Sequence, residues 1–155
     1  MVTKFSRVFA LFLALAVVVA VASPAMAQDA RVTVTSQKSF DQTVSQLKSN
    51  VSQGGMMIMA TVDQGNMLSM TGLKMRATLF LVGNPNVGKK LFEQNHAVGL
   101  YIPLRVFIYE STDGKTYLSY DKPSAVLGQF KNEEINKTAA MLDQKLEGLA
   151  QMSTH

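Results

Sequence analysis

A helix with one narrow apolar stripe has to lay that stripe on another surface, and the C-terminal part of this chain carries such a stripe. Ile135, Ala139, Leu142, Leu146 and Leu149 recur at intervals of 4, 3, 4 and 3, which places them on one side of an α-helix. Glu133 and Glu134 stand at its opening, where the helix dipole favours negative charge. A second stripe, Phe40, Val44, Leu47 and Val51, predicts a helix that starts at Ser39 and stops at Gly54-Gly55. Ser39 can cap its free amides with Gln42 at the capping-box position, and glycine accepts the left-handed conformation that helix ends often need.

The segments between the stripes read as strands. Arg31 to Thr35 alternates with β-branched residues, and Met56 to Val62 is a short apolar run bounded by glycine and by Asp63-Gln64-Gly65-Asn66. Met75 to Val82 reads as the next strand, closed by the turn residues Gly83-Asn84-Pro85-Asn86, with a short helix over Lys89 to Gln94. Residues 66 to 75 read as one or two helical turns ended by Gly72. Val106 to Tyr109 follows Pro103, which stands where a missing amide is tolerated, and Asp113-Gly114 turns the chain into a returning strand, Lys115 to Tyr120. This order predicts an α+β fold with a largely antiparallel sheet of about five strands and the two long helices on one face.

The N-terminus reads as an export signal. Lys4 and Arg7 precede an uncharged apolar run from Val8 to Ala22, Ser23-Pro24 stops the run, and Ala25-Met26-Ala27 is a small-x-small cleavage pattern. The run falls short of the roughly 20 residues a spanning helix wants. The reading is therefore a cleavable signal over residues 1–27, a single domain over 28–155, a periplasmic or secreted location, and no stable membrane anchor after cleavage. Taking Lys4 and Arg7 from the 15 basic residues leaves 13 against 11 acidic ones, a net +2. That balance, with Lys and Arg scattered, gives no electrostatic footprint for nucleic acid. With no cysteine the domain has no disulfides and must be held by core burial, for which its length suffices.

Gly83-Asn84-Pro85-Asn86-Val87-Gly88-Lys89-Lys90 matches seven positions of the phosphate-loop pattern G-x-x-x-x-G-K-[ST], after a predicted strand and before a predicted helix. Lys90 stands where the hydroxyl on magnesium is required, and an ammonium group cannot ligate a cation. No apolar strand ending in Asp follows to complete a metal site, and an exported domain meets little nucleoside triphosphate. The segment reads as a turn and helix start, and no nucleotide is expected.

Five ordered segments carry a family resemblance: Ser39-Phe40-Asp41-Gln42-Thr43-Val44, Gly72 to Thr78, Val82-Gly83-Asn84-Pro85, Ile102-Pro103-Leu104-Arg105-Val106, and Asp113-Gly114-Lys115 leading to Ser119-Tyr120-Asp121-Lys122-Pro123. Together they resemble the bacterial domain-of-unknown-function family numbered 302, from about Val32 to the final helix. The resemblance implies a β-α-β4-α fold related to the TATA-binding-protein architecture, a homodimer, and no established biochemical activity. Members often carry His after the Asp that ends the second strand and Pro after the Arg of the third, whereas Gln64 and Ala77 stand here.

Candidate site residues are few. Met56, Met57, Met59, Met67, Met70 and Met75 crowd into twenty positions, and thioethers suit Cu(I). Met56 to Met59 read as core filling in a buried strand, which leaves Met67 and Met70, with His96, as the metal candidates. His96 and the terminal His155 are the only histidines, so neither a structural zinc set nor a His-centred triad can be assembled. Asp41, Asp113 and Glu133 have capping or turn roles. No catalytic residue and no cofactor are assigned. The sequence points to a non-enzymatic binding or interaction module of unknown cargo. The alternatives are a small-ligand or Cu(I)-binding protein, or an enzyme with a crevice between the sheet and residues 63–72, near Asp63, Asn84 and Arg105.

Overall fold

The structure, a computed structural model, describes residues 30–155, so the signal expected over residues 1–27 lies outside the described residues. Strand β1 (Arg31–Thr35) leads to helix α1 (Phe40–Gln53), strand β2 (Met57–Asp63), helix α2 (Gln64–Ser69), strand β3 (Ala77–Gly83) and helix α3 (Pro85–Gln94). A 3-10 segment (His96–Leu100) then leads to the hairpin of β4 (Leu104–Glu110) and β5 (Thr116–Asp121), a short helix α4 (Pro123–Leu127), and helix α5 (Glu133–Thr154). The strands form one sheet in the order β1-β5-β4-β3-β2, every neighbouring pair antiparallel. The α+β expectation with two long helices on one face holds.

Both stripes are buried as the spacing requires. Phe40, Leu47 and Val51 of α1, and Ile135, Ala139, Leu142, Leu146 and Leu149 of α5, pack with Phe80, Val82, Val106, Ile108 and Leu118 of the sheet. Ser39 forms the capping box with Gln42, and Asn132 caps α5 through the Ile135 amide. Buried polar groups are paired: Asn50 Nδ2 donates to Ser153 Oγ across the α1–α5 seam at 3.1 Å. Each such bond contributes about 1 kcal/mol net, and leaving one partner orphaned would cost more.

Three local expectations need correction. The residues Gly83 to Asn86 do not close a strand as a free turn. Asn84 is the N-cap of α3 and Pro85 its first residue, so the helix begins four residues before Lys89, as Asn at N-cap and Pro at N1 favour. Met56 is buried, but β2 is an edge strand whose Met57 and Met59 are exposed. Pairing with β3 slips between Ile58 and Ala60, which leaves Met59 as the extra residue of a bulge. Finally, α4 and the 3-10 turn after it stand where no element was expected. Asp143 of α5 accepts hydrogen bonds from the Ser124 amide and hydroxyl and holds α4 in place.

Candidate functional site

The side chains of a strand alternate between faces, and among the described residues only one face is covered by helices. On the other, β4 presents Arg105, Phe107 and Tyr109, β5 presents Tyr117, Ser119 and Asp121, and β1 presents Arg31, Thr33 and Thr35, as the register aligns them. Phe107 and Tyr109 stack at 5.1 Å between centroids and 17° between planes, and Tyr109 and Tyr117 stack at 5.5 Å and 21°. The three rings form a continuous ladder across two strands. Leu79 and Leu81 of β3 flank it, half-buried.

A shallow cavity of about 420 Å³ lies on this face, lined by Arg31, Thr33, Gln64, Leu79, Arg105, Phe107 and Asp121 among others. Arg31 Nε bonds Asp121 Oδ1 at 2.8 Å, and that hydrogen bond holds the guanidinium pKa above its ordinary value. No carboxylate lies within ion-pair distance of Arg105 among the described residues. Asp121 lies between the two arginine positions, and in the next row the Thr33 and Ser119 hydroxyls bond one another at 2.8 Å beside Phe107. The ladder is not among the expectations drawn from the sequence, although the alternation of Arg105, Phe107 and Tyr109 is its signal.

Asp63, Asn84 and Arg105 do not share a crevice, which corrects the expectation of a single site. A cavity of about 920 Å³ does open between the sheet and the segment after β2, and Asp63 lines it with Phe40, Asp41, Lys74, Arg76 and Glu110. Three of its charged residues are engaged: Arg76 pairs with Asp41 and lies over the Phe40 ring at 4.5 Å, and Asp63 Oδ1 caps α2 by accepting from the Asn66 amide at 2.9 Å. Asn84 lines a different, apolar cavity of about 330 Å³ beside α3. There its Oδ1 accepts from the Asn86 and Val87 amides at 2.8 and 3.4 Å, and its Nδ2 donates to the Gly55 carbonyl at 2.8 Å. The amides that a phosphate loop would turn toward a ligand are bonded within the chain. Arg105 belongs to the open sheet face.

Met67 and Met70 sit one turn apart at α2, 54% and 83% exposed, with Met57 and Met59 exposed on β2. His96 begins the 3-10 segment after α3. Among the described residues no group of three or more His, Cys, Asp or Glu stands together to hold a metal. Gln64 lines the open-face cavity and Ala77 the larger one, so the two departures from the family pattern fall in separate places.

The model of the family described as "Domain of unknown function DUF302" matches residues 32–152. The chain belongs to the DUF302 family. This DUF302 domain is similar in fold to a solved structure, the uncharacterized conserved protein DUF302 from Bacillus stearothermophilus. The TM-score is 0.74 at 20% identity, over 80% of this chain and 98% of that one. It is also 31% identical over 94 residues to the fluoride-specific ion channel FluC 1 of Brucella suis biovar 1 (strain 1330), covering 60% of this chain and 37% of that protein. The fluoride-specific ion channel FluC 2 of Brucella melitensis biotype 1 matches at the same identity over 35% of its length. The chain thus spans little more than a third of the curated relatives it matches.

Proposed function

We propose that this DUF302 domain is a non-enzymatic binding and interaction module of the cell envelope, exported through its N-terminal segment and working as a homodimer through the open face of its sheet. The observation that carries the reading is the ladder of Phe107, Tyr109 and Tyr117 on a face that no helix covers. Aromatic side chains with arginine are the groups that dominate protein interfaces. Arg105 and Asp121 lie one residue beyond the paired Val106 and Tyr120, so the same patch offers both signs of charge. A two-fold contact needs such a self-complementary surface. The mature net charge of +2 argues against nucleic acid as the partner.

Sedimentation equilibrium tests it. The protein should dimerise in the micromolar range, and Phe107→Glu, which sets a carboxylate in the ladder, should give a folded monomer. A wild-type protein that stays monomeric at millimolar concentration would overturn the dimer. Intact-mass measurement after expression in a bacterial host should give a chain beginning at Gln28, and one beginning at Met1 would refute export by cleavage.

A second reading rests on the curated relatives. Proteins named as fluoride-specific ion channels share a 94-residue match that makes up 35–37% of their length, which supports a module that works alongside membrane ion transport. Co-purification with a transport protein from solubilised membranes, lost in Phe107→Glu, would favour it.

A further inference from the structure

The phosphate-loop lookalike is not absorbed by the open sheet face, yet its residues wall a cavity on the helix side of the molecule. Gly83, Asn84, Pro85, Val87, Gly88 and Lys89 all line the space of about 330 Å³ between α3, the Ile102-Pro103 loop and α5. The remaining wall is apolar: Val82, Leu91, Leu104 and Leu142 are buried at its back, and Met59 and Phe92 are exposed at the rim. Asn84 is the one uncharged polar side chain in the wall, and both ends of its amide are already bonded, to the α3 amides and to Gly55. Lys89 is the one charged residue in the lining. Its ammonium lies 3.7 Å from Glu93 on the exposed side of α3, a pair that water screens and that an incoming anion can displace.

An apolar slot with a single cation at its edge asks for one kind of molecule. The ligand has an unbranched apolar chain to fill the slot and one anionic head to meet the cation. The volume sits at the lower end of small-ligand sites, which run from about 300 to 1,000 Å³. If a methylene takes roughly the space of a water molecule, about 30 Å³, the slot holds a chain of about ten carbons. We propose that this cavity binds a medium-chain linear carboxylate, with the alkyl chain against Val87, Phe92, Ile102 and Pro103 and the carboxylate at Lys89. The site is independent of dimerisation through the sheet.

Calorimetric titration of the purified protein with hexanoate, octanoate, decanoate and the uncharged octanol, each below its micelle concentration, tests the proposal. Affinity should rise about fourfold per added methylene through decanoate, the transfer value of a buried methylene expressed as a binding ratio. Octanoate should bind more tightly than octanol, and Lys89→Gln should erase that difference while leaving octanol binding unchanged. Gly83→Leu should abolish binding, because an added Cβ there lies 3.3 Å from Met59 and 3.7 Å from Pro103, both in the wall, and the larger side chain fills the space between them. Should that variant fold poorly, amide shifts on adding decanoate decide the location. Shifts centred on Gly83, Gly88, Leu91 and Leu104 support the site. Absence of saturable binding at millimolar decanoate, equal affinity for octanol and octanoate, or shifts centred on Phe107 and Tyr117 would each overturn it.

Discussion

Replacing Asn84 by alanine removes two connections at once. The side-chain oxygen caps α3 by accepting from the Asn86 and Val87 amides, and the side-chain nitrogen ties the start of α3 to the Gly55 carbonyl between α1 and β2. Loss of an N-cap acceptor costs about 1 kcal/mol. The bond to Gly55 adds about 0.5–1 kcal/mol, at the low end for a net hydrogen bond because water can reach the carbonyl. Asn84→Ala should therefore lower stability by about 1.5–2 kcal/mol, the sum of the two losses. For a domain of this size that is a fall in Tm of roughly 5–8 °C. Asn84→Ser keeps a capping oxygen and loses only the tie, so it should cost about 0.5–1 kcal/mol. Urea unfolding followed by circular dichroism measures both, read from the midpoint at unchanged slope. A loss under about 0.5 kcal/mol for alanine, or equal losses for serine and alanine, would refute the structural role assigned to Asn84.

Gly65→Ala sets a Cβ 2.5 Å from the Met75 carbonyl and 3.0 Å from the Ala77 amide nitrogen. Because both are backbone atoms, α2 must shift, at a cost of about 1–3 kcal/mol in chemical denaturation. At the β4–β5 turn, the Tyr117 hydroxyl and the Lys115 amide donate to Asp113 at 2.7 and 3.0 Å, holding the carboxyl below its ordinary range and the phenol above its own. Asp113 thus contributes above the unfolded carboxylate pKa and stops contributing as pH falls through its lower folded value. Tyr117 contributes below the unfolded phenol pKa and stops as pH rises through its higher folded value. Carboxyl-carbon NMR should show Asp113 titrating late on acidification, and Tyr117→Phe should return it toward the usual range; an unchanged midpoint would refute the contact. Cu(I) titration under reducing conditions should show no binding tighter than a generic chelator gives, and a tighter site lost in Met67→Leu with Met70→Leu would refute this and make the two exposed thioethers copper ligands.

The helices were legible because periodicity of 3.6 and a Ser39–Gln42 cap are local signals, and the sheet because short apolar runs fell between glycine and asparagine punctuation. What failed was what depends on distance or on double meaning. Asn84-Pro85 is equally good turn and helix-start chemistry, and only the Gly55 carbonyl, 29 positions away, decides between them. The run Met56 to Val62 looks buried because a stretch of methionine and β-branched residues says nothing about which strands flank it. Placed at the sheet edge, the same residues show Met57 and Met59 to solvent. Helix α4 depends on Asp143 from another helix. Nothing local to Asp63, Asn84 and Arg105 says whether they share a crevice, and each serves a different corner of the molecule. The aromatic ladder needed only the parity of β4 to be read, plus the knowledge that no second helix layer covers it.

The first strand is joined to the last turn of the last helix. Gln37 donates its amide to the Thr154 carbonyl at 2.9 Å, and the Ser36 hydroxyl reaches the same carbonyl across a sequence separation of 118. Strand β1 itself pairs only with β5. The opening strand therefore waits unpaired until residues 116–121 are in place, and the hairpin of β4 and β5 has to form before it has a place to go. Loop closure over such a span is met late and all at once. The place of β1 is set by β5, and a chain lacking the last turn of α5 loses the clasp on Ser36 and Gln37 while β1 keeps its register on β5.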